Sequence, residues 1–423
     1  MSMYSQTHSS ARARAWSIAA LFIAGTGGQP LMAEEWFVDV TATAGVDFYY
    51  AYGGTGQFYF PEIMGGGVAL FDFDRDGLLD LYLVQGGEIG PGIEPDDRTV
   101  RDRLYRNTSM RDANGQWRIQ FEDVTARAGI DARGYGMGVV ADDVSGDGWP
   151  DLYVMNFGAN QLWLNNGDGT FRDATAAAGV DDTRWSVSGS FGDLNNDGLL
   201  DLVVVNYADY TIDSHRQCRA SGTNRPDYCS PSAYPGENDS AFINRGDGTF
   251  TNASEAIGLN RMSQHGLGVI LADLDWNGHV DLYIANDGTA NAYLLNQGNL
   301  TFIEDAFLAG SAVNADGAPE ASMGVDAADV DRNGGEDLFI THLKRETNTL
   351  YLNDGQGWFR DATTSSGLGP ASLPSTGFGT GFVDIENDGW IDLVAVNGAV
   401  VVEEEQVQVG SDFPYRQPNQ VFR

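Results

Sequence analysis

One nine-residue pattern, an aspartate-rich turn running straight into an apolar strand, occurs six times in this chain and limits what it can fold into. The first copy spans Asp72 to Asp80 (DFDRDGLLD) and continues into Leu81-Tyr82-Leu83. The others begin at Asp143 (DVSGDGWPD), Asp193 (DLNNDGLLD), Asp273 (DLDWNGHVD), Asp329 (DVDRNGGED) and Asp384 (DIENDGWID), at intervals of 71, 50, 80, 56 and 55 residues. A stretch rich in small residues precedes each turn, as in residues 65–70, 136–140 and 377–382. After it comes a run ending in Asn, such as Leu162-Trp-Leu-Asn165 or Leu350-Tyr-Leu-Asn353, and then a fourth run such as Phe171-Arg-Asp-Ala-Thr175. Each run is short, alternates polar with apolar residues and is bounded by Gly, Asn or Asp, so each reads as a strand. Four antiparallel strands per repeat of roughly 50 to 60 residues describe a blade of a β-propeller. Small residues before each turn suit strands that converge on a central axis. A β-solenoid is the alternative, but its repeats are shorter and carry fewer strands. The expectation is an all-β propeller of four-stranded antiparallel blades over residues 35–423, with six repeats present.

Charge narrows the partners. With 24 Lys and Arg against 60 Asp and Glu, the 423 residues carry a formal charge of −36. That argues against nucleic acid and anionic membranes and towards cations. Residues 1–33 read as a signal peptide: Arg12 and Arg14, an apolar core over 16–24, and Ala33 ahead of Glu34. That core is too short to span a bilayer, and no second apolar segment is long enough. The expected product is secreted or periplasmic. In such a compartment Cys218 and Cys229 read as one disulfide in an insertion over residues 206–239. A pair of metal thiolates is the competing reading, and it lacks two further ligands at suitable spacing.

The turns themselves point to calcium, a hard cation that takes six to eight oxygens, which a tight turn supplies from alternate residues. The first loop would offer Asp72, Asp74, Asp76, the carbonyl of Leu78, and Asp80; the second Asp143, Ser145, Asp147, Trp149 and Asp151. The third would use Asp193, Asn195, Asp197, Leu199 and Asp201, and the fourth Asp273, Asp275, Asn277, His279 and Asp281. The fifth would use Asp329, Asp331, Asn333, Gly335 and Asp337, and the sixth Asp384, Glu386, Asp388, Trp390 and Asp392. In every loop the seventh residue acts through its carbonyl, and the preceding glycine, Gly77 in the first, permits the positive φ of the reversal. An EF-hand would place a bidentate Glu twelfth, between helices. Here the twelfth residues are Leu83, Val154, Val204, Ile284, Ile340 and Ala395. The expectation is up to six Ca²⁺, the second and fifth loops binding least tightly, with folding linked to metal binding because clustered carboxylates repel.

These residues resemble the FG-GAP or VCBS repeat, the blade unit of integrin-type propellers. Their order is similar to the cartilage acidic protein family, whose members often end in an UnbV/ASPIC domain. Residues 61–68 (PEIMGGGV), Met323-Gly-Val-Asp326, Glu346-Thr-Asn-Thr-Leu350 and Gln417-Pro-Asn-Gln420 carry the likeness. It implies an extracellular or periplasmic calcium-binding propeller that acts as a binding or adhesive module. Relatives continue past Arg423 with a seventh blade and the ASPIC segment, whereas this sequence stops within a blade. Either it is a fragment, or the run Trp36-Phe-Val-Asp-Val-Thr41 supplies the outer strand of the sixth blade.

In a four-stranded blade the second loops lie on the face opposite the first. Insertions over 85–102, 206–239 and 397–418 are second loops, so a protein or glycan ligand is expected there. Tyr207, Tyr210, Tyr228 and Tyr234 are its candidate contacts, with packing of the insertion as the alternative role for these rings. Catalysis is the rival function, since calcium-dependent polysaccharide lyases can use such propellers. No catalytic residue stands out: His215, His265, His279 and His342 sit in no H-E-x-x-H, and there is no G-x-S-x-G.

Overall fold

The computed structural model describes residues 37–93, 100–220, 224–411 and 414–423. The signal-peptide reading of residues 1–33 lies outside them, as does Trp36. The chain divides after Val40, and Thr41–Arg423 forms one compact unit.

Each aspartate turn closes an antiparallel hairpin, because its first and ninth residues sit at the ends of paired strands. In blade 1, Val68–Phe71 pairs with Asp80–Leu83 in the register Phe71↔Asp80, and Arg103–Asn107 and Phe121–Asp123 complete the sheet. Blade 2 is Tyr135–Asp142, Asp151–Phe157, Gln161–Asn165 and Phe171–Asp173. Blade 3 is Ser186–Gly192, Asp201–Asn206, Ser240–Asn244 and Phe250–Asn252. Blade 4 is Gly266–Ala272, Asp281–Asn286, Ala292–Asn296 and Phe302–Glu304, and blade 5 is Val325–Ala328, Asp337–Ile340, Thr349–Asn353 and Phe359–Asp361. Among the described residues blade 6 has three strands, Gly377–Val383, Asp392–Asn397 and Gln420–Phe422. Among the described residues of the run 36–41 expected to supply a fourth strand, 37–41 carry no strand assignment.

The first strand of each blade lines the axis, and at several of its glycines the neighbouring strand approaches too closely for a side chain. A Cβ on Gly138 would lie 2.5 Å from the Val187 carbonyl oxygen, and one on Gly324 only 2.1 Å from that of Phe378. Apolar residues of the second and third strands pack between blades, as in the cluster of Tyr82, Leu104, Leu152, Val154 and Trp163. Burial of such surface is the main stabilising term of the ring, roughly 25 cal/mol per Å².

A feature absent from the sequence reading follows each complete blade. The fourth strand runs into a single helical turn, Thr125–Ala128 in blade 1, ended by Gly129 at φ 76°. Asp123 accepts the Thr125 N–H at 2.9 Å, and the Thr125 hydroxyl accepts the Leu104 N–H at 2.9 Å, so the turn is tied back to its own sheet. Blades 2 and 5 repeat this with Asp173–Thr175 and Asp361–Thr363.

Residues 44–63 cross the molecule from the outside of blade 1 to blade 3. Phe121 N–H donates to the Ala44 carbonyl at 2.7 Å, and Ala51 is held between Gln85 and Gly87. The segment ends by inserting Phe60 among Trp185, Tyr207, Tyr210 and Tyr234, with ring centroids 5.2–6.1 Å away.

Candidate metal loops and the opposite face

The six turns share one hydrogen-bond scheme. In the first, the Asp72 carboxylate accepts the N–H groups of Asp76 at 3.0 Å and Gly77 at 2.9 Å, and Asp76 accepts that of Leu78 at 3.0 Å. The first-position residues Asp143, Asp193, Asp273, Asp329 and Asp384 do the same in their loops. The glycine at the sixth position has positive φ in all six, 87° at Gly77 and 97° at Gly334. The fourth position also adopts the left-handed conformation, which the pattern did not reveal. Arg75, Asn196, Trp276, Arg332 and Asn387 stand at φ 54–61°, and only the second loop uses a glycine there, Gly146. Such a backbone is strained for a bulky residue.

Four of those residues, Arg75, Asn196, Trp276 and Arg332, reach the next loop round the ring. The Arg75 guanidinium lies 5.4 Å from the Trp149 ring centre, and that of Arg332 3.7 Å from Trp390. Asn196 donates to the Gly278 carbonyl at 2.7 Å, and the Trp276 ring covers Gly334.

The ninth-position aspartates are the most buried carboxylates of the loops, with Asp80, Asp151, Asp201, Asp281 and Asp337 all fully enclosed. Each accepts two backbone N–H groups. Asp80 takes those of Phe73 at 3.0 Å and Asn107 at 2.7 Å, and Asp281 those of Leu274 and Asn296. Burial outweighs these bonds and raises the carboxyls of Asp80, Asp151, Asp201 and Asp337 to about 6 and that of Asp281 to about 7. The Asn that closes the third strand locks the next joint. Asn165 donates to Phe73 O at 2.9 Å and Pro150 O at 3.1 Å, spanning blades 1 and 2. Asn244, Asn296 and Asn353 repeat the bridge across the next three joints.

Three loops bring carboxylates together closely enough for one ion: Asp72, Asp74 and Asp80; Asp273, Asp275 and Asp281; Asp329, Asp331 and Asp337, with ligand atoms within 4.8 Å of one another. The fifth loop, expected to be weak for its Asn333 and Gly335, is among them. The second and third loops, with Ser145 and Asn195 third, do not gather three acidic groups, and neither does the sixth. In the first loop Asp74 Oδ1 is buried and accepts no hydrogen bond, an acceptor suited to a cation. Arg106, unremarked in the sequence, competes there: its guanidinium pairs with Asp74 and, at 2.6 Å, with Asp76. The register makes Arg423 its counterpart in blade 6, where it pairs with Glu386. Blades 2 to 5 carry Leu164, Ile243, Leu295 and Leu352 at this place.

The insertions meet on the face opposite these loops. Cys218 and Cys229 form the disulfide. Arg225 pairs with Glu404 at 3.5 Å, and the Tyr228 and Tyr415 rings lie 6.1 Å apart, which joins two of the insertions. The tyrosines need correction as ligand contacts. Tyr207, Tyr210 and Tyr234 are buried with Trp185, Phe60 and Ile89 in one aromatic cluster. Their role is to pack the insertion and the crossing segment onto the blades, because large rings gain most by leaving water. Tyr228 alone remains partly open, beside a cavity on the axis. Of the histidines, His215 contacts Gln57 O at 3.1 Å, His265 contacts Tyr234 O at 3.1 Å, and His342 is buried between Thr347 O and Ser322. His279 lies in the fourth aspartate turn, beside Gly298.

Sequence comparison matches the FG-GAP-like repeat over residues 72–154, 143–204, 222–284, 273–340 and 329–395, nearly one match per aspartate loop. The chain belongs to the FG-GAP-like repeat family. It is similar to cartilage acidic protein 1 of Xenopus tropicalis, 26% identical over 356 residues, covering 81% of this chain and 50% of that protein. Against cartilage acidic protein 1 of Homo sapiens it is 24% identical over 363 residues, covering 82% and 49%. The chain thus spans about half the length of the curated relatives it matches. Among solved structures, an Agrocybe aegerita lectin that recognises non-reducing terminal N-acetylglucosamine matches with a TM-score of 0.43 and 16% identity, covering 85% of this chain and 80% of the lectin. An exotype rhamnogalacturonan lyase matches with a TM-score of 0.34 and 12% identity, covering 80% and 64%. Among the described residues no helix is long and apolar enough to cross a membrane.

Proposed function

We propose that this protein is an exported calcium-binding β-propeller that serves as an extracellular or periplasmic binding module for a protein or glycan. The observation that carries the reading is the six-fold recurrence of one oxygen-rich turn, three copies of which converge three carboxylates within 4.8 Å. Calcium would be held by the first, third and fifth side chains, the seventh carbonyl and the ninth aspartate, in up to six loops. Its charge would offset the repulsion of carboxylates that also anchor strand ends and inter-blade bonds. The loops that gather on the other face, carried by rigid blades, are where a macromolecular ligand would be read.

Calorimetric titration of EDTA-treated protein tests the metal. Calcium uptake with a rise in melting temperature is expected, and no uptake and no rise would reject the reading. Replacing residues 208–236 by a short linker tests the face. Capture of partners from the native secretome should fall, and unchanged capture by a folded variant would reject the assignment. A polysaccharide panel provides a separate check on function, since release of unsaturated sugars would replace a binding role with catalysis.

A further inference from the structure

The axis opens on the insertion face into a cavity of about 740 Å³, within the range of small-molecule sites. The first strands of all six blades contribute to its walls, among them Met137, Val187 and Val325, together with Met155 of the second strand of blade 2 and part of the crossing segment. Such a lining selects an apolar body and disfavours a sugar, whose hydroxyls would be left without partners.

Two polar atoms in this lining lack partners. Glu62, on the crossing segment, is only 5% exposed, and its Oε1 accepts no hydrogen bond. The Tyr228 hydroxyl reaches Oε2 at 3.4 Å, and Thr55 and the Tyr59 N–H also lie against the carboxylate, yet Oε1 has no donor within hydrogen-bond distance. Asn397 Oδ1, in blade 6, is likewise buried without a donor. Both residues line the cavity, and both orphan atoms are acceptors. An occupant that completes the site must therefore bring donors.

Aromatic rings stand at the same mouth. Phe58 and Tyr228 meet edge to face at 5.3 Å, Tyr415 lies next to Tyr228, and Tyr52 shares the lining. Phe58 is held at φ 60°, a conformation that a phenylalanine adopts only when its surroundings impose it. Ring faces attract cations, a carboxylate does so more strongly, and the chain carries a formal charge of −36.

From these observations we infer that the axial cavity is a binding site for a primary organic ammonium with an apolar body, such as an alkylamine or arylalkylamine. The ammonium donates to Glu62 Oε1 and Asn397 Oδ1 among the rings, while the hydrocarbon fills the throat. The site is independent of the metal loops, which lie at the other end of the strands.

Titration calorimetry of the full chain, with calcium and again with EDTA, would use n-octylammonium, octyltrimethylammonium and octanoate as probes with a common tail. One octylammonium per chain is expected in calcium. Octyltrimethylammonium, which has the charge but no N–H, should bind about tenfold more weakly, and octanoate not at all. Glu62→Gln should weaken octylammonium by about tenfold or more. Gly379→Leu fills the cavity from a position where a Cβ would meet only Val396, at 3.9 Å, so the fold should persist while binding is lost. Melting temperatures of both variants establish that they are folded. Absence of octylammonium binding, equal binding of octanoate, or binding unchanged in both folded variants would overturn the assignment. Because the probe series does not report on metal uptake, its failure would leave the calcium reading standing.

Discussion

The turn between the second and third strands predicts an unusual gain of stability. In four blades the backbone N–H that ends the second strand is accepted by an asparagine side chain: Asn160, Asn291, Asn348 and Asn419, at 2.8–2.9 Å. Blade 1 uses Asp102 instead, which accepts the Gln85 N–H at 2.8 Å and the Tyr82 hydroxyl at 2.8 Å. Asp102 is 3% exposed, and burial raises its carboxyl to about 7. An unfolded aspartate titrates near 3.9. Between those values the folded chain holds a proton that the unfolded chain has released, so stability falls as pH rises from about 4 to about 7 and levels off above. Three units correspond to a ceiling of about 4 kcal/mol. Asp102→Asn keeps the acceptor for Gln85, presents donors to Tyr82 and removes the charge. We expect a gain of roughly 1–3 kcal/mol at pH 8 and almost none near pH 4. Urea denaturation of variant and parent at the two pH values, compared as differences, isolates this residue from all other titrations. A variant less stable at pH 8, or equally stabilised at both, would refute the reasoning.

Other substitutions probe the remaining devices. Asn244→Ala removes donors to Val144 O at 2.8 Å and Leu200 O at 3.0 Å, and should cost about 2–3 kcal/mol, read as a lower melting temperature with calcium present. Arg106→Leu gives the first loop the residue type found in blades 2 to 5. It should raise calcium affinity there by roughly fivefold, measured by calorimetry against the parent. Burial lowers His342 to about 4, so its contribution is whole above about 6.5 and is lost as pH falls towards 4. His342→Gln should therefore flatten the acid limb of the stability profile between those values, measured by denaturation.

The repeat made the blades legible because each strand and turn is specified by residues adjacent in sequence. Asp72 to Asp80 contains its own hairpin, and the glycines before it mark the axis because at Gly66 and Gly67 a side chain would meet neighbouring backbone. What the pattern could not show depends on contacts between distant residues. Arg106 lies 30 residues or more from the carboxylates it neutralises. The burial of Tyr207, Tyr210 and Tyr234 depends on Phe60, brought from roughly 150 residues away. The left-handed fourth position of each loop escaped notice because Arg75 and Trp276 are residues that local propensity assigns elsewhere. The Asn that ends each third strand was visible as a motif, but its donation across the blade joint requires the ring to exist first.

Strained residues at the fourth position join four of the turns to the next, so much of the propeller's rim behaves as a chain of couplings rather than as separate clasps. An ion held in one turn would fix the aim of Arg75, Asn196, Trp276 or Arg332, and so would steady its neighbour's backbone. Gly146 has no side chain with which to reach the third turn, so at this joint the two turns are tied through Asn244, which donates to Val144 O and Leu200 O. On the far side, Phe60 is driven into the rings of Trp185, Tyr207 and Tyr210 around that same joint. The joint that lacks this fourth-position contact at one end of the propeller is packed with aromatic rings at the other.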